Sequence, residues 1–263
     1  MTDSVLLQTD PRGVATLTLN RPEKHNAFDG ALIAELTRKL VQINNDDRTR
    51  ILILTGAGKS FSAGADLNWM RSMAQFSEAD NIEDALKLAE LMDELNALRK
   101  PTIACVNGAV YGGGVGLVAC CDIAIAADTA KFALSEVKLG LVPSVISPYV
   151  IAAVGEHQAR RYFLTAEAFD AEQAQKIGLI HEVATPGKLD EAIGKEVNLL
   201  LKAGPKALTA CKELIAANTA ASVSTRRALK QKTAQLIAQL RVSEEGQEGL
   251  SAFLEKRPPK WIK

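Results

Sequence analysis

The chain has 263 residues, with 31 Lys and Arg set against 31 Asp and Glu, so its formal net charge is zero. That balance excludes the overall positive field that would draw it to nucleic acid, and no Lys/Arg stripe with interleaved aromatics stands in for one. An apolar share of 47% is ordinary for a globular protein and supports one large domain, or a core with a small appendage. In chain order, Val5–Gln8 and Val14–Leu19 flank Asp10-Pro11-Arg12-Gly13, which predicts a β-hairpin. Asp29 is placed to cap a helix whose apolar positions Leu32, Ile33, Leu36, Leu40 and Ile43 recur at helical spacing. Residues 51–54 read as a buried strand. Residues 67–98 read as helical, with Met70, Met73 and Phe76 as an apolar stripe for packing or for a pocket wall. Strands follow at 102–106, 123–126 and 131–134.

After Gly155 the character changes. Residues 156–163, 171–177, 188–203, 206–217, 222–241 and 243–255 read as helices, punctuated by Gly178, Gly187 and Gly204-Pro205. Only 179–183 interrupts them as a strand-like piece. The expectation is an α/β core with an α-helical last third. Its stripe of Leu229, Leu236, Ile237 and Leu240 needs a partner surface.

Three places along the chain carry possible chemistry. Gly112-Gly113-Gly114 follows the strand at 102–106 and leads into the apolar segment 117–121, expected to be a buried helix. Bare backbone N–H groups at a helix start suit an oxygen that becomes anionic; a glycine hinge for close packing is the alternative. Ser60–Leu67 is a second junction of small residues after a strand. Glu136 follows strand 131–134 with apolar neighbours, and is either a proton-transfer carboxylate or a surface charge. Cys105, Cys120, Cys121 and Cys211 lack metal-ligand spacing, and the histidines at 25, 157 and 181 are scattered. No metal or redox cofactor is expected, and Cys120 and Cys121 read as packing residues rather than a disulfide. The start lacks a basic segment backed by an apolar core, and no apolar run reaches the ~18 residues of a membrane span. A reduced, cytoplasmic chain with no membrane partner is the expectation.

Phe61-Ser62-Ala63-Gly64-Ala65-Asp66-Leu67, then Val106-Asn107-Gly108 with Gly112-Gly113-Gly114, then Cys121-Asp122-Ile123-Ala124-Ile125-Ala126, stand in one order and spacing. Together with Leu19–Ala27 and Ser251–Arg257 they resemble the crotonase (enoyl-CoA hydratase/isomerase) superfamily over essentially the whole chain. The resemblance implies a spiral of strand-strand-helix repeats over residues 1–200, holding an acyl-CoA site. It implies a helical oligomerisation region over 201–263, forming a homotrimer or a homohexamer. Backbone N–H groups of Ala65 and Gly113 would hold the thioester oxygen, and Glu136 would be the acid/base. Lys24, Ala27, Ala63, Asp66, Leu67, Gly112 and Gly116 match substrate positions. Phe253 and Lys256 match positions near the adenine end, with a solvated tail charge as the other reading of Lys256. Coenzyme A is then part of the substrate, and no further cofactor is needed.

Two departures carry the expectation further. Hydratases of this kind place a second glutamate where this chain has Gly116. Pro143-Ser144-Val145-Ile146-Ser147-Pro148 replaces a Pro-Gly-x-Gly-Gly-Thr pattern, and Ser144 stands where a dehalogenase subgroup has its aspartate. Segments 64–70 and 144–149 look like bacterial methylglutaconyl-CoA or isohexenylglutaconyl-CoA hydratases. A branched substrate with a free carboxylate is therefore expected, with space at Gly116 for the branch and Arg71, Lys138 or Arg160 for the carboxylate. A Δ3,Δ2-enoyl-CoA isomerase with Glu136 as sole base and a non-catalytic acyl-CoA-binding homologue are the alternatives.

Overall fold

The computed structural model describes residues 3–185, 187–219 and 223–260. Strands β1 (Val5–Thr9) and β2 (Val14–Leu19) form the expected hairpin, with Val5 opposite Leu19. Asp10 closes its turn by accepting from the N–H groups of Arg12 and Val14. Asp29 caps α1 (Gly30–Asn45) by accepting from Leu32 N–H at 2.9 Å, and all five predicted apolar positions are buried.

Three repeats then follow: β3 (Ile51–Gly56) with β4 (Ser60–Ser62), β5 (Thr102–Val106) with β6 (Ala109–Tyr111), and β7 (Ile123–Ala127) with β8 (Lys131–Ala133). In each, the first strand joins a six-stranded sheet of order β1-β2-β3-β5-β7-β10, where β10 is Glu182–Ala184. The second joins a four-stranded sheet of order β4-β6-β8-β9, where β9 is Phe169–Asp170. Because β4, β6 and β8 are parallel neighbours, the segments that leave them lie along one rim. Those segments are 63–66, 112–113 and 134–136, the same stretches singled out for chemistry. Tertiary pairing brings them together over more than seventy residues of sequence.

The six-stranded sheet is covered on both faces, so β5 is buried along its whole length, as a run apolar throughout requires. One cluster joins the sheet to α1 and to α3 (Glu78–Asn96) through Leu17, Leu36, Leu52, Leu91 and Ala104. The other joins Val14, Ile51, Ile103 and Ile125 to Ile193 and Val197 of α7 (Leu189–Leu201). Cys105, Cys120 and Cys121 are free and buried, and Cys211 is free and exposed.

Four expectations change in detail. Residues 67–98 form two helices, α2 (Leu67–Met73) and α3, because Ser77 and Asp80 make a reciprocal capping box that starts a new helix. Helix α4 (Gly113–Cys120) begins inside the glycine run rather than after it. Helix α5 (Ser147–Thr165) begins well before residue 156 and is kinked at Gly155, whose φ is +74°. The strand-like piece at 179–183 is β10, shifted to 182–184 beyond the short helix α6 (Ala171–Lys176).

The last helices are α8 (Pro205–Thr219), α9 (Val223–Val242) and α10 (Glu244–Leu254). Helix α9 packs along α3, burying Ala234, Ile237 and Ala238. Part of the stripe on α9 thus finds its partner surface within the chain. Leu240 packs on the core, Leu236 stays exposed, and the side chain of Leu229 lies outside the described residues. Among the described residues no helix is long and apolar enough to cross a membrane.

Candidate active site

The rim where β4, β6 and β8 end opens into a cavity of about 810 Å³, walled also by α2, the loop before α5, and residues of α9 and α10. Its floor is built by close packing of the two small-residue junctions. At Gly64 (φ +80°) a Cβ would lie 2.9 Å from the Tyr111 carbonyl, and at Gly114 a Cβ would lie 3.0 Å from Ser62. Side chains at either place would hold the junctions apart. Gly112 turns the chain into α4 with φ +50° and ψ −119°, a backbone state open to glycine.

Two residues of this floor carry backbone N–H groups that are left unbonded. Phe28 forms a parallel bridge with Ala65: its N–H donates to Gly64 O at 2.6 Å, and its carbonyl accepts from Asp66 N–H at 2.7 Å. In a parallel bridge the flanking residues supply the bonds, so the N–H of Ala65 points away from Phe28. Gly113 is the first residue of α4, whose N–H has no intrahelical acceptor. Neither N–H is hydrogen-bonded among the described residues. Both residues line the cavity.

Glu136 opens a short 3₁₀ turn after β8. As a residue it keeps some exposure, but its Oε2 is buried with no hydrogen-bond partner among the described residues. Its Oε1 lies 3.3 Å from where a Cβ on Gly112 would sit. The carboxyl is therefore beside the α4 start, in a desolvated place, and burial pushes its pKa up to about 7. A carboxyl poised there exchanges a proton readily in both directions near neutral pH.

The remaining predicted residues divide. Lys24, Ala27, Ala63, Asp66, Leu67, Gly112 and Phe253 line the cavity. Asp66 has a second task. It caps α2 by accepting from Asn68 and Trp69 N–H groups, and it pairs with Lys24 Nζ at 3.2 Å. Burial opposes its ionisation, but Lys24 and the two N–H groups outweigh that and hold its pKa below the usual carboxylate range. Lys256 is exposed and outside the cavity wall, where Arg257 and Pro259 stand instead.

Gly116 is corrected. It does not open onto the cavity, and the space expected there is filled. A Cβ at 116 would lie 2.8 Å from Ile146 Cβ and 3.2 Å from Met92 Cε. Ile146, buried, takes the cavity-facing place. The cations expected for a substrate carboxylate divide as well. Arg71 and Lys138 line the cavity but are exposed, and Arg160 is paired with Glu156 on α5 and does not line it.

Sequence reasoning missed Phe28, Ile146 and Arg241. Arg241 lines the cavity from α9, buried beside Asp84. A signal was present: Arg241 follows Ile237 by four residues, so it shares the buried face of that helix. Ser144 is buried and donates its hydroxyl to Thr233 O at 2.7 Å, tying the loop before α5 to α9.

The family profile described as enoyl-CoA hydratase/isomerase matches residues 9–263. A 2,3-dehydroadipyl-CoA hydratase from Escherichia coli is 34% identical, over 97% of this chain and 98% of its own. A solved enoyl-CoA hydratase from Shewanella pealeana is 45% identical, with a TM-score of 0.80 over 98% of this chain and 96% of its own. Another, from Mycobacterium avium, is 37% identical with a TM-score of 0.87 over the full length of both. With a profile that spans nearly every residue and a relative 34% identical along almost the whole of both chains, this chain belongs to the enoyl-CoA hydratase/isomerase family, the crotonase superfamily.

Proposed function

We propose that the chain is an enoyl-CoA hydratase acting on an α,β-unsaturated acyl-CoA whose acyl group is branched and carries a carboxylate, of the 3-methylglutaconyl or isohexenylglutaconyl type. One observation carries the reading. A desolvated Glu136 with a pKa of about 7 shares one cavity with the unbonded N–H groups of Ala65 and Gly113. The two N–H groups donate to the thioester oxygen and stabilise the negative charge that grows there. Ionised Glu136 takes a proton from water as the water oxygen bonds to Cβ. The same carboxyl then gives that proton to Cα. The elements of water are thus divided between the two carbons, and Glu136 ends as it began. Coenzyme A arrives with the substrate, along Lys24, Ala27, Ala63 and Leu67, with Phe253 at the mouth.

One feature favours a second reading. Ile146 fills the place of a second carboxylate, so Glu136 works alone, as a Δ3,Δ2-enoyl-CoA isomerase requires. There it would carry a proton from Cα to Cγ. Absorbance of the conjugated thioester with a panel of enoyl-CoAs decides. Loss of conjugation from a 2-enoyl substrate supports hydration, and gain from a 3-enoyl substrate supports isomerisation. Binding without either change would mean a non-catalytic acyl-CoA carrier.

Assembly as a trimer or a dimer of trimers belongs to the same proposal. Leu164, Leu199 and Leu214 are 77%, 59% and 63% exposed, and a neighbouring chain would cover such surface.

A further inference from the structure

Arg241 places a buried cation in the wall of the acyl cavity, its side chain 9% exposed. Nη1 donates to Asp84 Oδ2 at 3.2 Å and to Asn81 Oδ1 at 3.4 Å. The other oxygen of Asp84 accepts from Trp69 Nε1 at 3.3 Å. Asp84 is therefore shared, and the two-pronged pairing that satisfies a buried guanidinium is not made. Nε is buried and has no hydrogen-bond partner among the described residues. Burial draws the pKa of Arg241 down, while Asp84 draws it back up. The backbone around it is fixed, because Gln247 bridges the carbonyls of Arg241 and Ala74 at 2.7 and 3.1 Å.

Buried donors in native proteins are nearly always satisfied. A guanidinium held in the wall of a substrate cavity, with a buried and unused Nε, fits an acceptor that comes with the substrate. We propose that Arg241 is a specificity-determining residue that takes a carboxylate on the acyl group through its Nε edge. The cavity would thereby select thioesters of dicarboxylic acids over monoacyl thioesters of equal length. The inference rests on the reading of this cavity as an acyl-CoA site, but not on the reaction carried out there. Arg71 and Lys138 are the competing cations of the same cavity. Both are exposed, and Arg71 Nη1 is engaged by Asn68 Oδ1 at 2.8 Å.

Calorimetric binding of 3-methylglutaryl-CoA and of 3-methylpentanoyl-CoA tests this without turnover, since both are saturated and differ only by carboxylate against methyl. Wild type is expected to bind the diacid thioester about 10–100-fold more tightly. Arg241→Met should bring that ratio close to one with little change for the neutral ester, whereas Arg71→Met should leave it intact. If Arg241→Met fails to fold around an unpaired Asp84, the double variant Arg241→Met/Asp84→Asn removes both charges and should give the same ratio. A wild-type ratio near one, equal loss for both esters, or collapse of the ratio in Arg71→Met instead would overturn the proposal. An intact ratio in a protein that turns over no enoyl-CoA would sink the hydratase reading and leave this one standing.

Discussion

Ile146 occupies the space that a side chain on Gly116 would need, its Cβ 2.8 Å from where a Cβ at 116 would stand. Read alone, the missing side chain means room for a branched acyl group. In the fold, the room belongs to an isoleucine of the loop before α5. Gly116→Glu should therefore overpack the core and bury a carboxylate, rather than move preference toward a small straight substrate. Overpacking of this kind costs about 1–3 kcal/mol, and an unpaired charge adds to it. Thermal unfolding should show the loss. Gly116→Glu/Ile146→Ala should recover part of it, because the second change removes the obstructing branch. A single variant with wild-type melting would show that Ile146 yields freely.

Glu136 sets activity against stability. If it is the sole acid/base, Glu136→Gln should lower kcat by roughly 10²–10⁴-fold while acyl-CoA binding persists. The same burial that tunes the group carries a pH signature. Its pKa is about 7 in the fold against 4.5 for a free side chain. Between those values the folded chain keeps a proton that the unfolded chain has lost, so stability falls as pH rises through the window. Above pH 7 the penalty is complete, on the order of 1–3 kcal/mol; below 4.5 it is absent. Glu136→Gln should thus melt higher than wild type at pH 8 and equally at pH 4. Melting curves that run parallel at both pH values would remove the desolvated carboxylate from the account.

The sequence disclosed what depends on local pattern. The Asp29 cap, the apolar period of α1, the run of β5 and the two small-residue junctions are short-range signals, and each lies where expected. Convergence of the junctions with Glu136 came from motif order, since nothing local says that β4, β6 and β8 pair in parallel. What was not legible is who fills a space. Gly116 looks empty until Ile146, thirty residues on, packs into it. Arg241 looks like a late surface charge until α9 lies along α3 and buries it beside Asp84. The helix break at 74–77 was written in Ser77 and Asp80, but a continuous apolar stripe masked it.

Assembly is tested by mass in solution. Light scattering at micromolar concentration should return three or six chains. Replacing Leu199 and Leu214 by Lys should lower that mass if α7 and α8 form the contacts. An unchanged mass would move the interface elsewhere, and a monomeric wild type would end the proposal.

Phe28 links the two proposed oxyanion donors, and this makes Gly113 the sharpest test of them. Its backbone holds the 64–66 segment through the Gly64 and Asp66 bonds, and its ring, fully buried, packs against Gly113. A Cβ at 113 would lie 2.7 Å from Phe28 Cε2 and 3.1 Å from Cδ2. Space for that Cβ opens only if the ring moves or the first turn of α4 retreats. Retreat of α4 displaces the Gly113 N–H. Movement of Phe28 disturbs the bridge that aims the Ala65 N–H. Gly113→Ala should therefore impair both donors, and Gly113→Val more so. Loss of one such donor lowers kcat by about 10²–10³-fold in comparable sites, so Gly113→Val is expected at or beyond that range. Binding of a saturated acyl-CoA, whose oxygen carries no developing charge, should weaken far less. Steady-state kinetics beside calorimetry separate the two effects. Equal losses in kcat and in saturated-ester affinity would mean that residue 113 shapes the cavity without serving the transition state.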